Sequence, residues 1–304
     1  MTFKYRRLVL PLMAGIGLVA SAQLFAAETL KFGIISTESS QNQRPMWQPF
    51  LDDMSQSLGV EVEPFFATDY AAVIQAMRFD QIDLAWYGNK SAMEAVDRAG
   101  GEVFAQTIPE NGEPGYWSLM IVHEDSDLHS IEDVLANASD LVFGNGDPNS
   151  TSGYLVPGYY VFAQNGVDAS SAFKRTLNSN HETNALSVAN QQVDVATFNT
   201  ESMARLEITA PDKAEQLRVV WTSPLIPSDP QWSHFAPSSN DSLLPIRQLA
   251  LFSERADIAN DQSLSDADRE AQLAALDEQL DALNQRLEEM EEAESDAPSV
   301  ANAE

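Results

Sequence analysis

Apolar and polar positions follow two rhythms along this chain. "LKFGIIS" (30–36) begins as an alternation and ends as a continuous apolar run, the pattern of a buried strand. "RPMWQPFLDDMSQSLG" (44–59) follows with helical spacing and a terminal glycine. The alternation of strand and helix continues through "VEVEPFFA" (60–67), "DYAAVIQAMRFD" (69–80), "IDLAWYG" (82–88) and "KSAMEAVDRAGG" (90–101), with Asp69 placed as an N-cap. "EVFAQTI" and "YWSLMIVH" close this block as strands. The rhythm then restarts with a helix at 130–138 and a strand at 141–146. A mostly helical 154–166, the strand "FKRTLNS", a helix at 181–192, a strand at 193–199 and a helix at 200–209 follow. One long strand spans 217–226. Such alternation predicts α/β architecture with largely parallel sheets, and two successive blocks predict two lobes. Residues 29–125 with about 225–260 form lobe 1 on this reading, and 126–224 form lobe 2. Folds of this kind hold ligands at strand carboxyl ends or between lobes.

The two ends read differently. Lys4, Arg6 and Arg7 precede the apolar "LVLPLMAGIGLVA" and the small residues Ala20 to Ala22, the layout of a secretory signal peptide. The apolar run is short for a membrane span. Residues 1–26 are therefore expected to be a cleaved leader and the mature protein to be exported. From Asp261 to Glu304, fourteen acids stand against Arg269 and Arg286. Leu273, Leu276, Leu280, Leu283, Leu287 and Met290 recur at spacings of three and four, an a/d seam. This predicts an acidic heptad helix over 261–292. A homodimer through residues 273–290, or the chain's own domain, would cover the seam. Residues 293–304 read as a disordered tail.

Charge then narrows the partners. The 304 residues carry a formal net charge of −29, which repels nucleic acid and anionic lipid. Any anion bound here must find a local positive field. The chain has no cysteine, which excludes disulfides, thiolate metal sites and a cysteine nucleophile.

One loop offers such a field. In "GDPNSTSGYLVPGYY" (146–160), Ser150, Thr151 and Ser152 stand between a strand and a helix. The first N–H groups of a helix lack internal partners and suit phosphate or phosphonate oxygens, and hydroxyls add donors. Capping alone would use the same residues. It is not a Walker loop, because the glycine-lysine signature is missing. His181 opens another helix as a possible anion donor or as a cap, and Glu182 after it suits that helix's own N-terminus. Glu201 at a helix start and Asp229 in "PLIPSDP" read as cap and turn residues, or as a carboxylate pair for an amine. Tyr70, Trp86, Tyr87, Tyr116 and Trp117 stand near strand ends, as core or as pocket lining. His123, His129, His181 and His234 lack metal-ligand spacing, and no hydrolase or nucleotide-binding motif occurs. No cofactor is implied.

Taken together, "FGIISTESSQNQRPMWQPFLDDM", "FFATDYAAVIQAMRF", "DLAWYGNKSAMEAVDRAGGEVFAQT", "GYWSLMIV", "FGNGDPNSTSGYLVPGYYVFA" and "NHETNALSVANQQVDVAT" resemble the periplasmic phosphonate-binding proteins of phosphonate ABC transporters. The resemblance covers about residues 29–232 and resumes over "PIRQLALF" (245–252). It implies a two-lobe periplasmic binding protein (type II) clamp, here with an added C-terminal acidic helix. It also implies a non-enzymatic importer component that delivers phosphonates, notably 2-aminoethylphosphonate, to an inner-membrane ABC permease. By motif, Ser150, Thr151, Ser152 and His181 would hold the phosphonate. Glu201 and Asp229 would receive the amine, and Tyr70 and Tyr116 would line the other lobe's side. A phosphonate-acting enzyme and a periplasmic sensor domain are the alternatives. The family has a longer helical passage where this chain runs only from Ser233 to Leu244.

Overall fold

The computed structural model describes residues 29–107, 114–233, 244–261 and 263–296. The proposed leader and the connection at 234–243 lie outside the described residues. Each lobe is built on a five-stranded sheet. In lobe 1, β1 (Thr29–Ile34) runs parallel to β2 (Glu61–Phe66) and β3 (Leu84–Trp86). The helices α1 (Ser40–Leu58), α2 (Tyr70–Arg78) and α3 (Asn89–Ala99) connect and follow these strands. The edge strand β4 (Glu102–Gln106) completes the sheet through β12 (Pro230–Ser233), which pairs antiparallel to both β3 and β4. Phe32, Ile34, Val73, Met77 and Tyr87 are buried in this lobe's core.

The short β5 (Gly115–Tyr116) leads into β6 (Ser118–His123), which begins lobe 2. Its sheet orders β10 (Leu217–Thr222), β6, β9 (Val195–Asn199), β7 (Val142–Asn145) and β8 (Arg175–Asn178). The connecting helices are α4 (Ile131–Asn137), α5 (Ala169–Ala172), α6 (His181–Ala189), α7 (Thr200–Thr209) and α8 (Pro211–Ala214). Period-2 alternation makes β6 the spine of this lobe: Leu119 and Ile121 join the core on one face, Met120 and Val122 the core on the other.

Three sequence expectations need correction. The strand 118–123 was expected in lobe 1 but pairs with β9 and β10 in the second sheet. The sheets, expected to be largely parallel, are mixed: β12 in lobe 1, and β6 with β10 in lobe 2, run antiparallel to their neighbours. These strands lie beside the chain's two passages between lobes. Thirdly, the expected long strand over 217–226 breaks after Thr222. Pro224 cannot donate to a ladder, and pairing resumes only in β11 (Ile226–Pro227), which lies antiparallel to β5. The two passages meet here. Ser223 N–H donates to Ser118 O at 3.0 Å, and Ser118 N–H to Ser223 Oγ at 2.9 Å. This paired crossing is the hinge between lobes.

Helix α9 (Leu244–Asn260) backs the hinge, where Ile246 packs with Tyr116, Leu155, Val156 and Ile226. Helix α10 (Asp266–Asp296) lies along α9. It begins later and ends later than the expected 261–292 and takes in the start of the expected tail; 297–304 lie outside the described residues. The seam residues Leu276 and Leu280 are each 5% exposed. Arg255 of α9 pairs with Asp277 at 2.6 Å, and Gln248 with Asn284 at 2.6 Å. Leu276 and Leu280 are thus buried within the chain, with α10 packed along α9, while Leu273, Leu283 and Leu287 are half-buried, and the structure gives no support to the expected homodimer through 273–290.

Candidate functional site

The loop after β7 turns into a helix inside the hydroxyl cluster itself. Ser150 is the N-cap, its Oγ accepting Gly153 N–H at 2.9 Å. Thr151–Leu155 form a wide π-helical turn, with Leu155 N–H reaching back to Ser150 O at 3.1 Å. Pro157 lacks an N–H, and a second wide turn, Gly158–Phe162, follows it. The loop closes on itself through Gly146 N–H to Gly153 O at 2.9 Å. A Cβ on Gly146 would sit 2.4 Å from that oxygen, and one on Gly153 would lie 3.0 Å from the His181 ring. Only glycine permits both approaches.

Each of the three hydroxyls accepts one N–H. Gly153 N–H serves Ser150, Lys90 N–H serves Thr151 at 2.8 Å, and Asn199 Nδ2 serves Ser152 at 3.1 Å. A hydroxyl that accepts one N–H can still donate its own proton, which suits an anion; Ser150 Oγ also meets the Tyr70 phenol and lies 3.5 Å from His181 Nε2. Lys90 belongs to the first turn of α3 in lobe 1, so the Thr151 arrangement is completed across the cleft. The Lys90 ammonium also donates to Pro148 O at 2.6 Å. Burial holds its pKa below the ordinary value.

The helix caps separate two roles that the sequence left open. Asn180 caps α6 by accepting Thr183 N–H at 2.8 Å, so His181 is not the cap. Asn199 caps α7 by accepting Ser202 N–H at 2.7 Å, so Glu201 is not the cap. His181 is buried, its Nε2 3.5 Å from Ser150 Oγ. Desolvation, with Arg205 nearby, lowers its pKa to about 3. The imidazole is therefore neutral at physiological pH and offers one N–H donor.

Asp229 is 6% exposed and accepts Tyr116 Oη–H at 3.1 Å. Burial, with the Glu201 charge second, pushes its pKa well up. Burial also raises Glu201. Burial and the Asp229 charge raise Tyr70 and Tyr116, so both phenols stay protonated. Two carboxyl groups, Asp229 buried and Glu201 half-buried, with the Arg205 charge only partly offsetting their desolvation, can receive an ammonium group.

All eight residues singled out from the sequence, Tyr70, Tyr116, Ser150, Thr151, Ser152, His181, Glu201 and Asp229, line one cavity between the lobes. Thr37, Gly88, Asn199 and Arg205 also line it and were missed. Arg205 lies one turn beyond Glu201 on the same helix face, a spacing that could have exposed it. Thr37 and Gly88 follow the carboxyl ends of β1 and β3, where such folds place ligands. The cavity measures about 10 Å³, roughly the room of one water molecule. With so little room, residues of both lobes lie together around it. Among the described residues, no group of three or more His, Asp or Glu is placed to hold a metal ion.

Two α/β lobes, hinged on paired crossing strands and closed over a cavity lined from both sides, define a type II binding-protein clamp. Residues 32–236 match the family model described as ABC transporter, phosphonate, periplasmic substrate-binding protein, and the chain belongs to that family. It is similar to the Phosphonates-binding periplasmic protein of Escherichia coli (strain K12), 51% identical over 292 residues, 84% of this chain and 86% of that one. Its fold is similar to the crystal structure of a binding protein component of an ABC phosphonate transporter from Pseudomonas aeruginosa. That similarity has a TM-score of 0.84 and 56% identity, over 86% of this chain and 99% of that chain. PhnD1 from Prochlorococcus marinus (MIT 9301), in complex with methylphosphonate, shares the fold at TM-score 0.61 and 20% identity, over 82% and 89% of the two chains. The family is periplasmic. Among the described residues, no helix is long and apolar enough to cross a membrane.

Proposed function

We propose that this protein captures 2-aminoethylphosphonate between its lobes and delivers it to an inner-membrane ABC permease, after export and removal of residues 1–26. The observation that carries the reading is the cavity's two-part chemistry. Ser150, Thr151, Ser152 and neutral His181 present donors for a phosphonate without adding a formal positive charge. Asp229 and Glu201 present two carboxyl groups whose ionised forms an amine would favour. Arg205 also lines the cavity, with its guanidinium held by Glu38 at 2.8 Å and by Ser202 at 2.9 Å. A zwitterion matches this layout, whereas a plain alkylphosphonate leaves both carboxylates facing an apolar group. The relatives named for phosphonate binding support the ligand class.

Calorimetric titration with 2-aminoethylphosphonate, ethylphosphonate and inorganic phosphate tests the reading. The amino ligand is expected to bind most tightly. Equal affinity for the amino and ethyl compounds would remove Asp229 and Glu201 from recognition. Steady release of phosphate from 2-aminoethylphosphonate would make the protein an enzyme instead.

A further inference from the structure

Helix α1 spans 19 residues yet starts without a side-chain cap of its own: Ser39 is extended but makes no capping bond, and the first turn holds no acid. Its first N–H groups need acceptors from elsewhere. Glu182, in the first turn of α6 across the cleft, supplies one of them, while Asn42 N–H turns back to Ser39 O at 2.9 Å. Glu182 Oε2 accepts Ser39 N–H at 2.9 Å, and its Oε1 accepts from Asn42 Nδ2. Its own N–H donates to Thr37 O at 3.4 Å. Lobe 2 thus caps a lobe 1 helix.

The exchange is reciprocal. Glu38, one residue before Ser39 and 7% exposed, reaches from lobe 1 to Arg205 of α7. Thr37 Oγ1 donates to its other oxygen. Parting the lobes would return the α1 N-terminus to water and separate Glu38 from Arg205. Glu38 and Glu182 are absent from the cavity lining, while Arg205 lies on it with its guanidinium turned to Glu38.

We propose that Glu182 and the Glu38–Arg205 pair are positioning residues that latch the lobes shut, populating the closed form even without ligand and setting how long a ligand stays rather than which ligand is chosen. The second half of this statement rests on the phosphonate-capture reading. The first half does not.

Two measurements on the full chain test it. Because the chain has no cysteine, Asp52→Cys on α1 and Glu207→Cys on α7 place one spin label on each lobe. Ligand-free protein is expected to show a closed distance population that Glu182→Ala depletes and Glu182→Gln partly restores, since an amide oxygen still accepts Ser39 N–H. No closed population in the parent, or no loss in Glu182→Ala, overturns the latch whatever the ligand. Stopped-flow release of 2-aminoethylphosphonate and ethylphosphonate then tests residence time. Glu182→Ala and Glu38→Gln are expected to speed release of both by roughly three- to thirtyfold, the range that loss of a helix cap implies, with their affinity ratio unchanged. An unchanged release rate overturns the residence-time role. A ratio that shrinks as it does in Glu201→Gln makes the residue a ligand contact. If the parent chain binds no phosphonate, the functional reading falls, while the distance measurement still decides the latch.

Discussion

Replacing Thr151 by Val tests the anion site at the point where both lobes meet. Val keeps the side-chain volume, and Thr151 is 2% exposed, so the lobe 2 core is undisturbed. Two losses add. The Lys90 N–H that donates to Thr151 Oγ1 at 2.8 Å is left without an acceptor in the closed clamp. A buried donor without a partner costs about 1–3 kcal/mol. The hydroxyl proton free to meet a phosphonate oxygen is lost as well, and a hydrogen bond to a charged group is worth about 1.5–3 kcal/mol. Together these weaken binding by roughly two to four orders of magnitude. Thr151→Ser keeps the hydroxyl and is expected to retain most of the affinity. Isothermal titration of 2-aminoethylphosphonate into all three proteins is the assay, with competition where binding is weak. If Thr151→Val binds within threefold of the parent, the hydroxyl neither meets the anion nor helps closure, and the loop is a cap alone.

Glu201→Gln is expected to weaken the amino ligand far more than ethylphosphonate, since an unpaired buried charge costs several kcal/mol; parallel titrations of both ligands read this, and equal losses would make Glu201 a shape residue. Burial raises the pKa of both Asp229 and Glu201, so in the ligand-free clamp they bind protons that the unfolded chain would release. Their contribution to stability is present below the ordinary carboxylate pKa and is lost as pH rises through the raised values. An ammonium favours the ionised forms. The affinity ratio of amino to ethyl ligand should therefore fall as pH drops through the raised values, and a ratio flat in pH would refute this. Leu280→Ala is expected to cost about 2–5 kcal/mol if its site does not collapse, measured by denaturant unfolding. Phosphonate affinity should stay unchanged, because α10 lies behind the hinge; a parallel loss of affinity would tie α10 to lobe closure.

Local chemistry made much of this molecule legible. Strands with period-2 or continuous apolar runs, and a helix announced by Asp69, depend on residues a few positions apart. The hydroxyl cluster was legible for the same reason, because a helix start and its donors are neighbours in the chain. Sheet membership was not. Every residue of β6 from Ser118 to Val122 is buried, and such a run reads alike in either lobe. Proline effects were visible as residues but not as outcomes: Pro157 signals an interruption, but not the wide turns Thr151–Leu155 and Gly158–Phe162 on either side of it. The leucine seam of α10 was read correctly as an apolar face. A heptad does not say what covers that face, and here Asp277 and Asn284 find partners on α9 that no spacing within α10 discloses.

Glu182 shows why such errors cluster at interlobe contacts. Beside His181, at the start of a helix, a carboxylate satisfies the local rule for its own macrodipole, so nothing in the surrounding sequence calls for another reading. The rule is satisfied a second time by α1, whose first turn lies 143 residues earlier and lacks a cap. The missing cap was not visible: the sequence pattern starts this helix at Arg44, whereas it begins at Ser40, and Ser39 is itself a capping residue type that here makes no capping bond. The unmet need at one helix start, and the better cap Asn180 beside the carboxylate at the other, both emerge only in the structure. What joins them is lobe closure. A helix end that depends on an acceptor in the other lobe is stable in the closed form and solvated in the open one, so the same missing cap that looks like a local defect becomes a means of coupling closure to capture.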